Sequence, residues 1–355
     1  LRLPFESVRT VYEGTSEVRV YRNEVTEVLQ IGKRVSRLGA EEAIPFEEAK
    51  LLQTIRHAHV VPVYDVAVVE DAPDLHSLME VIEMIMPYYT SGSLFDALQK
   101  GVRFTIGEAI RLTRQTLLGL AELHDVHSIL HRDVKSGNVF LDDDGKARVG
   151  DLGLAVRMDD AGSAEPYATT QLFTPPEAHS DRRVTRASDI YGVGLILLEL
   201  VNGPFPYKGY DRGTIHDRLQ DGKLPIFPRH LRPDLRMPPR LRRIINKATV
   251  VDPRKRFQSS HEMIDALDRT PFVDWQPATG EDDGWMVWSG RSSVYPELAY
   301  RVEARSMKRG QPWKLSARRK KTAWRRVLDD QRVDDLDGTQ ARAFFDQVVA
   351  DATSR

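Results

Sequence analysis

The chain has 355 residues, 41% hydrophobic and 29% charged, a balance that excludes a disordered polymer and leaves room for two or three domains. Lysine and arginine total 51 against 52 acidic residues, so the net charge of −1 creates no overall field toward nucleic acid or membrane. There is no cysteine, which excludes disulfides and thiolate metal sites and fits a reducing, cytoplasmic setting.

Residues 5–35 alternate apolar and polar positions, as in Val18, Val20 and then Val28, Leu29 and Ile31, and read as two or three antiparallel strands. From Pro45 to Ile55 the spacing turns helical, with Phe46, Ala49, Leu52 and Ile55 on one face. Two strand-like runs follow, 60–69 and 79–86. Helices then dominate, the clearest being 109–124 and 189–201. A strand-rich start followed by a run of helices predicts a small mixed lobe joined to a larger helical one, an α+β arrangement. The most apolar run, 190–201, is too short to span a bilayer, and no signal-peptide pattern is visible. The chain starts at Leu1 and not at Met, which leaves open a targeting or membrane segment outside it. Residues 271–284 are rich in Pro, Asp, Gly and Trp and read as a linker. Strand candidates at 285–288, 299–307, 313–318 and 322–328, then an amphipathic helix at 339–350, predict a β-meander-plus-helix domain over 285–355.

The chemistry concentrates between His131 and Gly153. Phosphoryl transfer needs a carboxylate to orient a hydroxyl and take its proton, ligands for magnesium and a cation on the phosphates. Asp133 and Asp151 are paired acids in this stretch. Lys135 can neutralise a moving phosphoryl group, and Asn138 and Asp151 offer oxygens to a hard cation. The runs 139–141 and 147–149 read as a hairpin through Asp142, Asp143, Asp144 and Gly145, which would return Asn138 and Asp151 to one point.

The order His131-Arg132-Asp133-Val134-Lys135-Ser136-Gly137-Asn138, followed by Asp151-Leu152-Gly153, resembles the catalytic and metal-binding loops of eukaryotic-type (Hanks-type) serine/threonine protein kinases. The resemblance implies a bilobal kinase fold, with an N-lobe over 8–88 and a C-lobe over 89–270. It implies ATP and Mg2+ as cofactors, a protein substrate, Asp133 as catalytic base beside Lys135, and Asn138 and Asp151 as metal ligands. Pro175-Pro176-Glu177 resembles the end of the activation segment. Asp189 resembles the buried helix acid that holds the catalytic loop. Asp252 to Phe257 resembles the late segment whose arginine pairs with that glutamate, which predicts a buried Glu177–Arg256 ion pair. The Arg-rich, Cys-free composition leans toward a bacterial source.

The N-lobe departs from the pattern. The run Ile55 to Pro62 resembles the junction after the kinase regulatory helix, and counting back puts Glu48 at the position that pairs with the phosphate-binding lysine. Lys33 is the preferred lysine. On a strand it shares a face with Ile31, which would floor the adenine pocket. The alternative alignment puts Gln30 there and would imply a pseudokinase. The glycine-rich loop retains only Gly14, and Glu17 beside a triphosphate would be unfavourable unless it turns away. At the hinge, Met86 is the expected neighbour of adenine, and the backbone around Tyr88 and Tyr89 is expected to bind the base.

Arg132 implies docking of a phosphorylated activation segment. Ser163 and Thr169 are the phosphosite candidates, and Thr170 is given a structural role near the catalytic loop. Residues 301–332 hold twelve Lys/Arg against three acids, interleaved with Trp313 and Trp324. A solvated strand face ranks above nucleic-acid binding for this stretch, because no named nucleic-acid motif is visible. Three functions follow in order: an active Ser/Thr kinase that can autophosphorylate, a pseudokinase scaffold, and a kinase tethered to nucleic acid by its basic domain. Oligomeric state is left open.

Overall fold

The structure is a computed structural model that describes residues 5–13, 16–36, 52–69, 81–166, 172–180, 183–231, 236–276, 284–306 and 312–354. Five strands, β1 (Phe5–Glu13), β2 (Ser16–Asn23), β3 (Leu29–Ser36), β4 (Asp65–Val68) and β5 (Val81–Pro87), form an antiparallel sheet in the order β1-β2-β3-β5-β4. The turn between β2 and β3 is built by Asn23, whose side-chain oxygen accepts from the amides of Val25 and Thr26. Glu27 then takes a left-handed φ of 57° to re-enter the ladder. The strand expected over 60–69 is shorter. Pro62 has no amide to donate, and Val61 bonds instead to Val149 of the C-lobe. Of the helix expected over 45–55, Leu52 to Thr54 are helical, Ile55 is buried just past the helical turn, and residues 45–51 lie outside the described residues.

The C-lobe begins with two capped helices. Ser93 and Asp96 form a reciprocal capping box on Leu94–Gln99, and Thr105 and Glu108 form another on Ile106–Ala121. The second helix passes into a π-helical turn, Glu122–Val126, just before the catalytic loop. The short strands β6 (Ile129–Leu130), β7 (Val139–Leu141), β8 (Ala147–Val149), β9 (Val156–Arg157), β10 (Ser163–Ala164) and β11 (Val184–Thr185) pair as β6-β9, β7-β8 and β10-β11. The helix Arg186–Asn202 is apolar on every side and buried from Ala187 to Val201, so it forms the axis of the lobe. Gly192 lets the catalytic loop lie against that axis, since a Cβ there would sit 2.4 Å from the Val134 carbonyl oxygen.

The expected buried ion pair is present. Arg256 meets Glu177 through two bonds of 2.8 Å, with side chains 0% and 2% exposed. Ser188 donates to the same carboxylate at 2.6 Å, and Arg256 also caps the carbonyls of Val250 and Val251. All the strong donors and acceptors of the pair are therefore used, which is the condition under which a buried charge is tolerated.

The segment read as a linker contains a strand, β12 (Val273–Trp275), paired with β13 (Trp285–Ser292). Three residues between proline and acidic positions carry too little alternation to register as a strand. Their pairing relies on Gly290, where a Cβ would collide with the Asp274 carbonyl at 2.8 Å. The sheet continues through β14 (Ala299–Arg305), β15 (Trp313–Lys320) and β16 (Trp324–Arg326), with β17 (Gln331–Val333) also on β15. The helix Thr339–Thr353 covers one face, placing Phe345 against Trp275 and Trp288 and burying Phe344 in the same core. This second core is tied to the first. The Asp274 carboxylate accepts from the Gly107 amide at 2.9 Å, at the N-terminus of the Ile106–Ala121 helix, and Arg242 pairs with Asp346 at 2.6 Å. Replacing Arg256 by Met should leave the Glu177 charge buried and unpaired and cost about 3–5 kcal/mol, read as a lower urea midpoint. A midpoint equal to wild type would show that the pair carries no such strain.

Candidate active site

The catalytic loop is held by one carboxylate. Asp189 Oδ2 accepts the His131 amide at 2.9 Å and His124 Nε2 at 2.7 Å, and its Oδ1 accepts the Arg132 amide at 2.9 Å. These bonds retain Arg132 at a left-handed φ of 65°, an uncommon conformation for a residue with a side chain. His131 donates from Nε2 to the Gly150 carbonyl at 3.0 Å and accepts the Asp133 amide at Nδ1 at 3.3 Å. Gly150 in turn donates to the Asn138 carbonyl at 2.9 Å. The β7-β8 hairpin thus returns the chain to the loop, and Asp151 leaves it at φ 53°.

Asp133, Lys135, Asn138, Asp151 and Lys33 come together. Asp133 Oδ2 accepts from Lys135 Nζ at 2.8 Å and from Asn138 Nδ2 at 2.9 Å. Asp133 Oδ1 is buried and has no hydrogen-bond partner among the described residues. A buried carboxylate oxygen left open in this way is the group on which an incoming hydroxyl can complete the set. Asn138 spends its amide nitrogen on the Asp133 carboxylate and carbonyl, which leaves its oxygen as the atom suited to a cation. Lys33 Nζ reaches across from β3 to pair with the Asp151 carboxylate, and Gly153 has no side chain to obstruct it, since a Cβ would lie 3.3 Å from Nζ. Burial opposes ionisation of Asp151, but the charge and hydrogen bond of Lys33 outweigh it and hold the carboxyl below its usual range. Gln30 lies three residues earlier on β3, opposite Pro87.

Ile31 pairs directly with Met86 across β3 and β5, so the two expected neighbours of a base are adjacent. Tyr88 and Tyr89 follow β5. Burial pushes the Tyr89 hydroxyl up to about 12, its ring lies 6.3 Å from Phe140, and its carbonyl accepts from Gly92 at 3.1 Å. Glu17, which sequence marked as a problem beside phosphates, is neutralised by Arg19 Nε at 2.5 Å. Gly14, Glu48, Thr169 and Thr170 lie outside the described residues.

Ser163, expected from sequence as a phosphosite candidate, is held by its neighbours. It is 8% exposed in β10, donates to Asp159 at 3.1 Å and accepts from Arg183 at 2.8 Å. In this conformation a phosphate there would meet both the Asp159 carboxylate and the Arg183 guanidinium. Arg132 is engaged with the activation segment through backbone groups, donating to the carbonyls of Leu154 at 2.6 Å and Glu165 at 3.1 Å. Sequence reasoning missed His124 as the second ligand of Asp189. It also missed the Tyr207 hydroxyl, which donates to buried Glu199 at 2.7 Å and lies 3.3 Å from Ser136 Oγ. Neither has a local signal, because their partners lie 65, 8 and 71 residues away along the chain.

The family model for the protein kinase domain matches residues 8–267. A probable serine/threonine-protein kinase of rice, WNK5, is 30% identical over 77% of this chain and 80% of its own length. A probable serine/threonine-protein kinase of Streptomyces coelicolor is 28% identical over 70% of this chain and 36% of its own. Human serine/threonine-protein kinase Nek2 is 29% identical over 53% of this chain and 43% of its own. The chain thus spans well under half the length of two of these relatives and most of the third.

Asp189 yields a pH prediction. Complete burial opposes its ionisation, but the bonds from His124 and the loop amides leave its carboxyl below the ordinary value. A depressed carboxylate contributes stability above its unfolded value, about 3.9, and loses it as pH falls through the folded one. Asp189→Asn should be less stable at neutral pH and lose less further stability on acidification below about pH 5. Parallel urea midpoints for the two proteins across that window would contradict this.

Proposed function

Since this chain belongs to the protein kinase family, we propose that it transfers the γ-phosphoryl group of ATP to serine or threonine hydroxyls of protein substrates. The observation that carries this reading is the divided Asp133 carboxylate, one oxygen held by Lys135 and Asn138 and the other buried and open. The open oxygen orients the substrate hydroxyl and takes its proton as the oxygen attacks phosphorus and the bond to ADP breaks. Lys135, already on the same carboxylate, offsets charge on the moving group. Asn138 and Asp151 are the residues that would hold Mg2+, which when bound neutralises phosphate charge. Lys33 is placed to exchange the Asp151 carboxylate for phosphate oxygens. Ile31 and Met86 would face the base, with Tyr88 and Tyr89 supplying hinge backbone groups. The reaction belongs in the reducing cytoplasm that a chain without cysteine fits.

Radiolabel transfer from γ-labelled ATP to a serine/threonine peptide mixture tests the reading. Lys33→Met should lower transfer by about 10²–10³-fold, and Gln30→Met should leave it near wild type. Asp133→Asn should cost about 10²–10⁴-fold. No transfer by wild type with any divalent metal would favour the pseudokinase scaffold instead.

The reading extends to the activation segment. With Ser163 tied into β10, Thr169 is the position we assign to autophosphorylation, its phosphate docking on Arg132. Phosphosite mapping should find Thr169 modified in wild type and unmodified in Asp133→Asn. The same modification in both, or in neither, would remove autophosphorylation from the proposal.

A further inference from the structure

The uncovered face of the C-terminal sheet carries a charge pattern that the kinase reaction does not use. Strand alternation sends Tyr300, Val302, Ala304, Leu315 and Ala317 into the core beneath the Thr339–Thr353 helix. Their neighbours on the outer face are largely cationic. Arg301, Arg318 and Arg326 lie directly opposite one another across β14, β15 and β16. Four residues along β15, about 13 Å away, Arg305, Lys314 and Arg332 form a second row across β14, β15 and β17.

Like charges directly opposite on a sheet repel, so two such rows oppose the fold that contains them. Local carboxylates relieve this only in part. Glu303 takes Arg301 and Arg305, each at 3.0 Å, and Asp330 takes Lys314 at 2.8 Å and Arg326 at 3.8 Å. Six cations thus share two acids. Among the described residues no carboxylate lies within ion-pairing distance of Arg318 or Arg332, and the same holds for Lys320, Lys321 and Arg325 at the turn between β15 and β16. The side chains are open to solvent, with Arg305 66%, Lys314 60% and Arg326 63% exposed. At this end Trp324 is 42% exposed, opposite Lys320, whose ammonium lies 6.0 Å from the ring centroid. The other tryptophans of the domain are less exposed than Trp324.

We propose that this face binds single-stranded nucleic acid, the arginine and lysine rows contacting phosphates and Trp324 stacking on a base. The rows supply backbone contacts, and one exposed aromatic ring at their end supplies the sequence-tolerant stacking such ligands use. An acidic protein segment would satisfy the rows but has no use for an exposed ring beside them. The net charge of the whole chain is −1, so the attraction is a property of this face and not of the molecule at large.

Fluorescence anisotropy of the full chain with labelled oligouridine and oligothymidine tests the proposal, the two arms separating RNA from DNA. With four uncompensated charges over the two rows, the logarithm of affinity should fall against the logarithm of salt with a slope of about −3, at about −0.7 per phosphate contact. The paired change Arg318→Gln and Arg326→Gln should weaken binding and make that slope shallower by about 1.4. Trp324→Ala should weaken binding about tenfold with the slope unchanged. Because the rows repel, the melting temperature of Arg318→Gln should be no lower than wild type, which separates lost binding from lost folding. The proposal is overturned by no binding at low salt, by a slope indifferent to the row variants, or by duplex binding that ignores Trp324→Ala. Competition by polyglutamate as strong as by oligonucleotide would also overturn it and identify an acidic protein partner.

Discussion

Three hydrogen bonds converge on the Asp189 carboxylate at the start of the most deeply buried helix, and the rest of the site is built outward from them. A buried carboxylate is costly unless every strong acceptor position is used. Here the donors are His124 and the amides of His131 and Arg132, so satisfying the charge and shaping the loop are one event. The left-handed backbone at Arg132 is the local strain that this arrangement sustains. Gly192, one helical turn along, removes the side chain that would otherwise hold Val134 away. Asp133 is then presented between a rigid backbone and two side-chain donors, with one oxygen to spare.

The second dependence runs between lobes. Lys33 belongs to the N-lobe sheet and Asp151 to the turn after β8, and their pairing makes a single electrostatic unit from two bodies of the fold. Its members are also the groups assigned to phosphate and metal. On the proposed reading, the charges that join the lobes are therefore also those that would bind the nucleotide. The Glu177–Arg256 pair has a different character. It is fully desolvated, bidentate and surrounded by carbonyl acceptors, so it fixes the end of the activation segment against the late C-lobe and takes no part in the chemistry.

The C-terminal domain is joined to this framework at the helix that feeds the catalytic loop. Asp274 caps the first turn of Ile106–Ala121 from β12, while Phe272 packs on the kinase core and Val273 on the accessory core. Two hydrophobic cores thus meet within two consecutive residues, without a free tether between them. One face of the accessory sheet is consumed by its helix. The other keeps its rows of like charge, relieved in part by Glu303 and Asp330.

The convergence of the His131–Asn138 loop with the turn at Asp151, the Asp189 anchor and the Glu177–Arg256 pair were legible in the amino-acid order, because each combines a specific residue type with a short, fixed spacing or a distinctive context. So were the helices and most strands, whose periodicity is a local property of the chain. What the order of residues could not decide was which groups satisfy one another across distance. Lys33 and Gln30 are both reasonable on paper, and only the register of β3 against β5 puts the ammonium of Lys33 at Asp151. Ser163 reads as a modifiable hydroxyl until Asp159 and Arg183 close around it. Val273 to Trp275 reads as linker until Gly290 opens a place beside it. The basic stretch near the C-terminus reads as a solvated strand face, and only strand pairing sorts its charges into two rows. In each case the deciding quantity is a contact between residues distant in sequence, and such contacts exist only once the tertiary structure has formed.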